Sequence, residues 1–304
     1  MTRSSAARRV AIDRTLFRCA VALCALAGIG WNASLAAADL RESAASSFER
    51  YARVTEQRLD QEERGAAPFL FTDRLPEADR REVYRALDRG DVVSRRVEAP
   101  PPAGSLEFPG ALCHDWVGTV FMPGVTVDQV IGLMQSYDRY AEIYRPAVRR
   151  SRLIEHQDGH FKASLQLFMK KGISVALNTE VDVRYVRISP SRAQVRSSST
   201  RIAEVDSLDS PGEQEKPVGH DNGFLWRFNN YCAVEERGPG PERAAGTYVQ
   251  CQSLSLSRSV PLGLGWLIGP FVSSIPRESM EFTLRTMRST LTTGRPANVP
   301  PPGR

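Results

Sequence analysis

Alternating apolar and polar residues run through the middle of the chain and predict a series of β-strands. The segments have similar lengths and are separated by Gly, Pro and Asp-Gly turn signals. They are Trp116–Met122, Val148–His156, His160–Lys170, Ile173–Ile188, Ala193–Ala203, Phe224–Glu236 and Thr247–Ser257. The dipeptide Asp158-Gly159 is a strong two-residue hairpin signal between two of them.

Helical patterns flank these strands. After the first strand, Thr126 can cap a short helix, and Tyr137–Tyr144 predicts a second one. A long amphipathic helix is expected over Ser274–Leu291, where apolar residues recur at helical spacing at Met280, Leu284, Met287 and Leu291. No helix alternates between the strands, as a parallel sheet would require. The fold class is therefore α+β with an antiparallel sheet.

The residues before the first strand predict an N-terminal extension. Asp39–Arg64 is polar with a sparse apolar stripe, which predicts either a loose helix or disorder. Pro76–Arg89 predicts a short helix with Gly90 after its end, and Pro100–Pro102 marks a linker. We therefore expect a helical extension and Pro-rich linker over 39–109, a compact domain over 110–293 and a disordered tail over 294–304.

Residues 1–38 have the pattern of a secretory signal peptide. Five arginines precede the apolar run Cys19–Ile29, which is short for a membrane span, and Ala36–Ala38 suit signal-peptidase cleavage. We expect cleavage near Ala38 and export to the periplasm or the medium. The alternative is an uncleaved membrane anchor.

The charge of the chain is concentrated in this leader. The full sequence has 40 Lys+Arg and 35 Asp+Glu, a net charge of +5. The leader holds five arginines and one aspartate, so the remaining chain has 35 basic against 34 acidic residues. A nearly neutral mature chain gives no reason to expect a nucleic-acid partner.

Cysteine and histidine spacings indicate no metal site and no cofactor. After the leader, Cys113, Cys232 and Cys251 remain, at spacings that fit no zinc motif. If Glu236 pairs with Thr247, Cys232 lies opposite Cys251, which allows either a disulfide or two small apolar residues on one face. The four histidines are expected at the surface: His114, His156, His160 and His220.

The order of elements, the strand that begins at Trp116 with the helices over Val127–Tyr144, and the segment Gly263–Leu284 resemble the SRPBCC superfamily. This superfamily includes START-like lipid-transfer proteins, coenzyme Q-binding START-like proteins and polyketide cyclases. The resemblance covers about residues 110–293. It implies a helix-grip fold, in which a curved antiparallel sheet wraps around a long C-terminal helix and encloses a hydrophobic pocket.

The resemblance makes several residues candidates for lining this pocket. They are Trp226, Phe228, Met280, Leu284, Met287, Trp266, Phe168, Tyr140 and Arg184. For the apolar residues the alternative is ordinary core packing, and for Arg184 it is a solvated outer face that leaves Val183 and Tyr185 inside. Leu262–Val272, which contains three glycines, is a flexible portal, an interfacial membrane contact or a buried helical lead-in to the long helix.

The preferred function is an exported binding or carrier protein for a hydrophobic small molecule such as a lipid, a quinone or an aromatic compound. One alternative is a cyclase/aromatase-type enzyme, with Tyr137, Tyr140, His114 and Arg184 as candidate proton-transfer groups. Another is a structural or interaction module in which residues 39–108 dock a partner or a membrane, and an exposed apolar patch at Phe69–Phe71 would favour it. No catalytic residue is assigned, because the sequence has no nucleophile-elbow or phosphate-loop pattern.

Overall fold

The computed structural model describes residues 40–98, 106–171, 173–217, 219–240, 244–259 and 265–296, with the backbone alone described for 265–273. The helices are α1 (residues 40–63), α2 (Glu77–Asp88), α3 (Val127–Met134), α4 (Tyr140–Ile143) and α5 (Gly265–Thr293), with short 3-10 turns at Phe71–Arg74 and Tyr137–Arg139. The strands are β1 (Val93–Arg96), β2 (Ala111–Pro123), β3 (Val148–Gln157), β4 (His160–Lys171), β5 (Ile173–Ser189), β6 (Arg192–Asp206), β7 (Gln214–Glu215), β8 (Arg227–Arg237) and β9 (Gly246–Arg258).

The strands form one antiparallel sheet in the order β1-β2-β9-β8-β6-β5-β4-β3, with β7 paired to β6. The sheet is curved and unclosed, and α5 crosses its concave face. The predicted α+β helix-grip fold is therefore confirmed. We call the face toward α5 the inner face and the opposite face the outer face.

Helix α5 approaches the sheet closely at Gly118 of β2. A Cβ atom at this position would lie 2.8 Å from Cε of Met280 and 3.0 Å from Cδ1 of Leu284. Both side chains are buried beside Met287, so the apolar stripe predicted from the sequence is the face that packs on the sheet. Glycine at 118 is what lets the helix axis come this near.

Local sequence explains two features predicted above, the start of α3 and the turn between β3 and β4. Thr126 and Gln129 form a capping box at the start of α3, with Gln129 N–H donating to Thr126 Oγ1 at 3.3 Å and Thr126 N–H donating to Gln129 Oε1 at 2.9 Å. Asp158 and Gly159 both have positive φ, as a two-residue hairpin between β3 and β4 requires.

The outer face of β2, β9 and β8 is covered by the N-terminal extension. Phe48 and Leu59 of α1 are buried against Leu254 and Leu256 of β9. Residues 40–63 are thus a well-packed helix, and neither the loose helix nor the disorder expected from the sequence is found. Every residue of β9 except its last is buried, because both faces of the strand are covered.

The Phe69–Phe71 segment is also part of this cover. Phe69 and Leu70 are buried with Leu87 of α2 against Phe121 and Tyr248 of the sheet. The exposed apolar patch that would have favoured an interaction module is therefore not formed here.

The β8–β9 hairpin has the expected register. Glu236 pairs with Thr247, and Cys232 lies directly opposite Cys251, to which it is joined by a disulfide bond. Of the two alternatives left open by the sequence, the disulfide is the one that forms. Cys113 is a free thiol.

Helix α5 begins at Gly265, nine residues before the predicted start at Ser274. Glycines and prolines are frequent in this stretch, yet a glycine inside a helix costs only about 1 kcal/mol, and the helical backbone agrees with the lead-in to the helix that was one alternative for Leu262–Val272. The backbone stays helical even through Pro276, whose missing N–H removes one intrahelical hydrogen bond. Packing of the following turns on the sheet outweighs these local costs.

Several predictions lie outside the described residues. They are the signal peptide, its cleavage site near Ala38, the alternative membrane anchor, most of the tail over 294–304 and the side chain of Trp266. Within the described ranges, no helix is both long enough and apolar enough to cross a membrane.

Candidate ligand-binding cavity

A cavity of about 290 Å³ lies between the inner face of the sheet and α5. The segment from α3 to the start of β3 lines one side. The walls are predominantly apolar, and the aliphatic side chains from the sheet and the helix include Leu165, Val181, Val183, Val195, Met280, Leu284 and Met287. This volume is close to the lower end of the range of about 300–1,000 Å³ for small-molecule sites.

Six of the nine sequence candidates lie in the cavity wall. They are Phe168, Tyr140, Phe228, Met280, Leu284 and Met287. Phe168 is half-buried, and the guanidinium of Arg149 lies 5.3 Å from its ring centroid. Thr283 of α5 also lines the cavity although it is solvent-exposed, so the cavity reaches the surface beside this helix.

Trp226 does not line the cavity with Phe228, which corrects the sequence prediction. It is buried in the cluster that α1 forms on the outer face, where its indole N–H donates to Asp221 at 3.0 Å. Arg41 lies over the ring at 5.3 Å. The strand β8 begins only at Arg227, so the period-two alternation that would have put Trp226 beside Phe228 does not extend to it.

Arg184 is the second correction. Its side chain is exposed on the outer face, whereas Val183 and Tyr185 on either side of it line the cavity. This is the alternative that the sequence had left open, and the strand periodicity explains it. Arg184 therefore has no place in a proton-transfer site within the cavity.

Four tyrosines line one end of the cavity, and the hydroxyls of three converge. Tyr140 and Tyr185 donate to the carbonyl oxygen of Met134 at 2.5 Å and 2.8 Å, and the Tyr137 and Tyr185 hydroxyls are 2.6 Å apart. Burial raises the pKa of each, including Tyr144, above the ordinary value. All four hydroxyls are neutral at physiological pH, and those of Tyr137, Tyr140 and Tyr185 are already hydrogen-bonded, so the tyrosines close this end of the cavity.

The other end of the cavity is polar, and the sequence reasoning missed it. Side chains from β2, β6, β8 and β9 meet there: His114, Ser197, Asn230, Ser253, Ser255 and Ser257. The Ser253 hydroxyl donates to Oδ1 of Asn230 at 2.8 Å, and Nδ2 of Asn230 contacts Sγ of Cys232 at 3.3 Å. The disulfide itself forms part of the wall.

His114 is buried in this polar end and not at the surface as predicted. Burial, with a smaller contribution from the positive charge of Arg96, lowers the pKa of His114 from 6.5 to about 4. The imidazole is therefore neutral at physiological pH. Its Nε2 atom has no hydrogen-bond partner among the described residues.

The described walls of the cavity offer uncharged polar groups that can bind and orient a small molecule. No Asp, Glu, Lys or Arg lies among its described lining residues. Elsewhere in the described ranges, no three His, Cys, Asp or Glu side chains are grouped closely enough to hold a metal ion. A neutral histidine without a carboxylate partner is a weak general base, because the protonated form is disfavoured by burial.

A second depression, of about 340 Å³, lies at the β3–β4 hairpin. Its lining includes the charged residues Glu155, Asp158, Lys162 and Asp182. It is open to solvent and lacks an apolar interior, so it does not offer the enclosed surroundings of a ligand site.

The sequence matches no protein-family profile. No curated protein is significantly similar to it. Among solved structures, a STAR-related lipid transfer protein from Xanthomonas axonopodis has 16% identity and a TM-score of 0.40, over 65% of this chain and 98% of that one. An aromatase/cyclase from Streptomyces has 11% identity and a TM-score of 0.38, over 61% of this chain and 100% of that one. Human STARD10 has 9% identity and a TM-score of 0.37, over 71% of this chain and 81% of that one.

These structures come from the groups that the sequence resemblance named. The overlap with each is partial and the identities are low, so nothing about their ligands transfers to this chain.

Proposed function

We propose that this protein is an exported binding or carrier protein for a hydrophobic small molecule, such as a lipid, a quinone or an aromatic compound. The observation that supports this function is the uncharged, largely apolar cavity of about 290 Å³ between the sheet and α5. Cores are normally packed without voids of this size. A cavity of this volume is a defect for a purely structural module and a requirement for a carrier.

Desolvation of the ligand would supply the affinity. An aromatic ring system the size of a large side chain buries about 200 Å². At about 25 cal/mol per Å² this gives roughly 5 kcal/mol, from which the entropy cost of association is subtracted. The flexible thioethers of Met280 and Met287 on α5 can adjust to ligands of different outline.

Two features support export as part of this proposal. The first is the signal-peptide pattern of residues 1–38. The second is the Cys232–Cys251 disulfide, because structural disulfides persist mainly in oxidising compartments. Fractionation of cells that produce the full chain, followed by mass measurement of the mature protein, tests both cleavage near Ala38 and export.

We also propose that the ligand enters from a membrane surface near the start of α5. Half-buried apolar side chains of the cavity wall lie close to this end of the helix: Met169, Phe224 and Leu225 pack in the same cluster as Ile275. Partly exposed apolar groups suit contact with lipid. Transfer of a bound ligand to vesicles, measured with and without the full chain, tests this step.

The deciding experiment is extraction of small molecules from the purified mature protein, followed by mass spectrometry. A matched pair of variants on β5 controls for specificity. Val183→Phe places a ring in the cavity, whereas Arg184→Phe places the same ring on the exposed outer face. We expect the first variant to lose the extracted molecule and the second to keep it.

Circular dichroism confirms that both variants fold. Protein stripped of bound molecules is then mixed with N-phenyl-1-naphthylamine, a neutral probe that fluoresces in apolar sites. If the native protein yields no apolar molecule and the stripped protein does not bind the probe, the carrier function is refuted.

A further inference from the structure

The polar end of the cavity contains two buried polar atoms that nothing in the described structure satisfies. They are Nε2 of His114 and Oγ of Ser257, in side chains that are 8% and 3% exposed. Both residues line the cavity. Buried polar groups nearly always have a hydrogen-bond partner. Two unpaired atoms in one cavity therefore indicate that a bound molecule supplies the partner.

The strand register places His114 and Ser257 near each other on one face of the sheet. His114 of β2 pairs with Ser255 of β9, so Ser257 is its diagonal neighbour on the same face. Diagonal neighbours in an antiparallel pair have Cα atoms about 7–8 Å apart, with the side chains somewhat closer. One oxygen atom that makes two hydrogen bonds of about 2.8 Å can bridge such a gap.

The charge state of this end restricts what can fill it. The described lining residues include no Asp, Glu, Lys or Arg, and the imidazole of His114 is neutral. Arg96, whose charge acts on His114, is not among the described lining residues. A carboxylate, phosphate or ammonium head would lose its hydration there without an opposite charge in the described wall to pair with. An uncharged polar group avoids this penalty.

We propose that the ligand is an uncharged hydrophobic molecule with a hydroxyl group, an alcohol or a phenol, whose oxygen bridges His114 and Ser257. A hydroxyl both donates and accepts, so it can pair with Nε2 of a neutral imidazole in either tautomer while it also bonds to the serine hydroxyl. A carbonyl or ether oxygen can only accept. The assignment rests on the proposed carrier function and adds the class of ligand.

The test compares four ten-carbon molecules that differ only in their head: decane, decanol, decanoate and decylamine. Each displaces N-phenyl-1-naphthylamine from the stripped, full mature chain at neutral pH. We expect decanol to bind better than either charged analogue. In Ser257→Ala and in His114→Phe, decanol binding should weaken about tenfold, the value of one or two lost hydrogen bonds, while decane binding stays the same.

Thr286→Val is the matched control. Thr286 also carries a buried hydroxyl that lacks a partner in the described structure, but it is not in the cavity wall. Its replacement should leave the ratio of decanol to decane affinity unchanged.

Two results would overturn the assignment while leaving the carrier function intact. One is tighter binding of decanoate or decylamine than of decanol. The other is a failure of Ser257→Ala to weaken decanol binding more than decane binding. If decanol binding does not weaken at all, an ordered water and not the ligand hydroxyl occupies the bridge. Failure of every molecule and of the probe to bind would instead refute the carrier function itself.

Discussion

Adjacent residues on β2 give the protein two opposing pH dependences. Asp115 points to the outer face, where Tyr51 of α1 donates to its carboxylate at 2.8 Å and Gln252 donates at 2.9 Å. Burial raises the pKa of Asp115 from 3.8 to about 6, although these hydrogen bonds and two arginines act in the opposite direction. His114 points to the inner face, and its pKa is lowered from 6.5 to about 4.

Between about pH 4 and pH 6 the folded state holds a proton on Asp115 that the unfolded state has released. The contribution of Asp115 to stability is therefore full below its unfolded pKa of 3.8 and is lost as the pH rises through 6. For His114 the unfolded state holds the extra proton. Its contribution is full above 6.5 and is lost as the pH falls toward 4.

Each shift spans about two pH units, and one unit corresponds to about 1.4 kcal/mol, so each group contributes roughly 3 kcal/mol across its window. The two contributions have opposite signs and nearly cancel in the native protein. Asp115→Asn removes one of them. The free energy of unfolding of this variant, minus that of the native protein, should rise by about 3 kcal/mol from pH 4 to pH 6.5.

Urea denaturation followed by circular dichroism at a series of pH values measures this difference. His114→Gln should give the reverse trend, with the difference from the native protein falling by a similar amount over the same range. The double variant should again run nearly parallel to the native protein. If the Asp115→Asn curve is parallel to the native curve between pH 4 and pH 6.5, Asp115 titrates normally, and the reasoning that burial outweighs the hydrogen bonds to its carboxylate is refuted.

Three further changes test the packing of the fold. Phe48→Ala should lower the free energy of unfolding by about 3–5 kcal/mol, because this fully buried ring fills the space between α1 and the sheet; urea denaturation measures it. Gly118→Ala should cost about 1–3 kcal/mol by pressing on α5, and it should reduce probe uptake by the cavity. Reduction of the Cys232–Cys251 disulfide should lower the free energy of unfolding by about 2–3 kcal/mol, as measured by urea denaturation with and without reductant. A decrease of less than a few tenths of a kcal/mol would contradict a structural role for this bond.

The fold was largely predictable from the sequence because turn chemistry and strand period are local signals. Asp158-Gly159 specified one hairpin, and the pairing of Glu236 with Thr247 brought the two cysteines of β8 and β9 together. These features depend on residues close in sequence, so no knowledge of the whole structure was needed to place them.

The faces of the sheet were harder to assign. In β9, Ser253, Ser255 and Ser257 alternate with Leu254 and Leu256. From hydrophobicity alone, the leucines would be expected on the inner face, toward α5. The leucines instead face α1, and the serines face the cavity. Strand periodicity shows which residues share a face but not which face is covered by a distant segment, and for this reason the polar end of the cavity and the place of His114 were missed.

The burial of β9 on both faces has a consequence for variation of this sequence. A strand with one solvated face accepts many residues at every second position, as β3 does along its exposed alternate positions. Every residue between Gly246 and Ser257 is buried, because most of one face lies toward the cavity and α5 and most of the other is covered by α1 and the Phe69–Phe71 segment. In a mutational scan, this strand should therefore tolerate the fewest substitutions in the sheet, and β3 should tolerate the most.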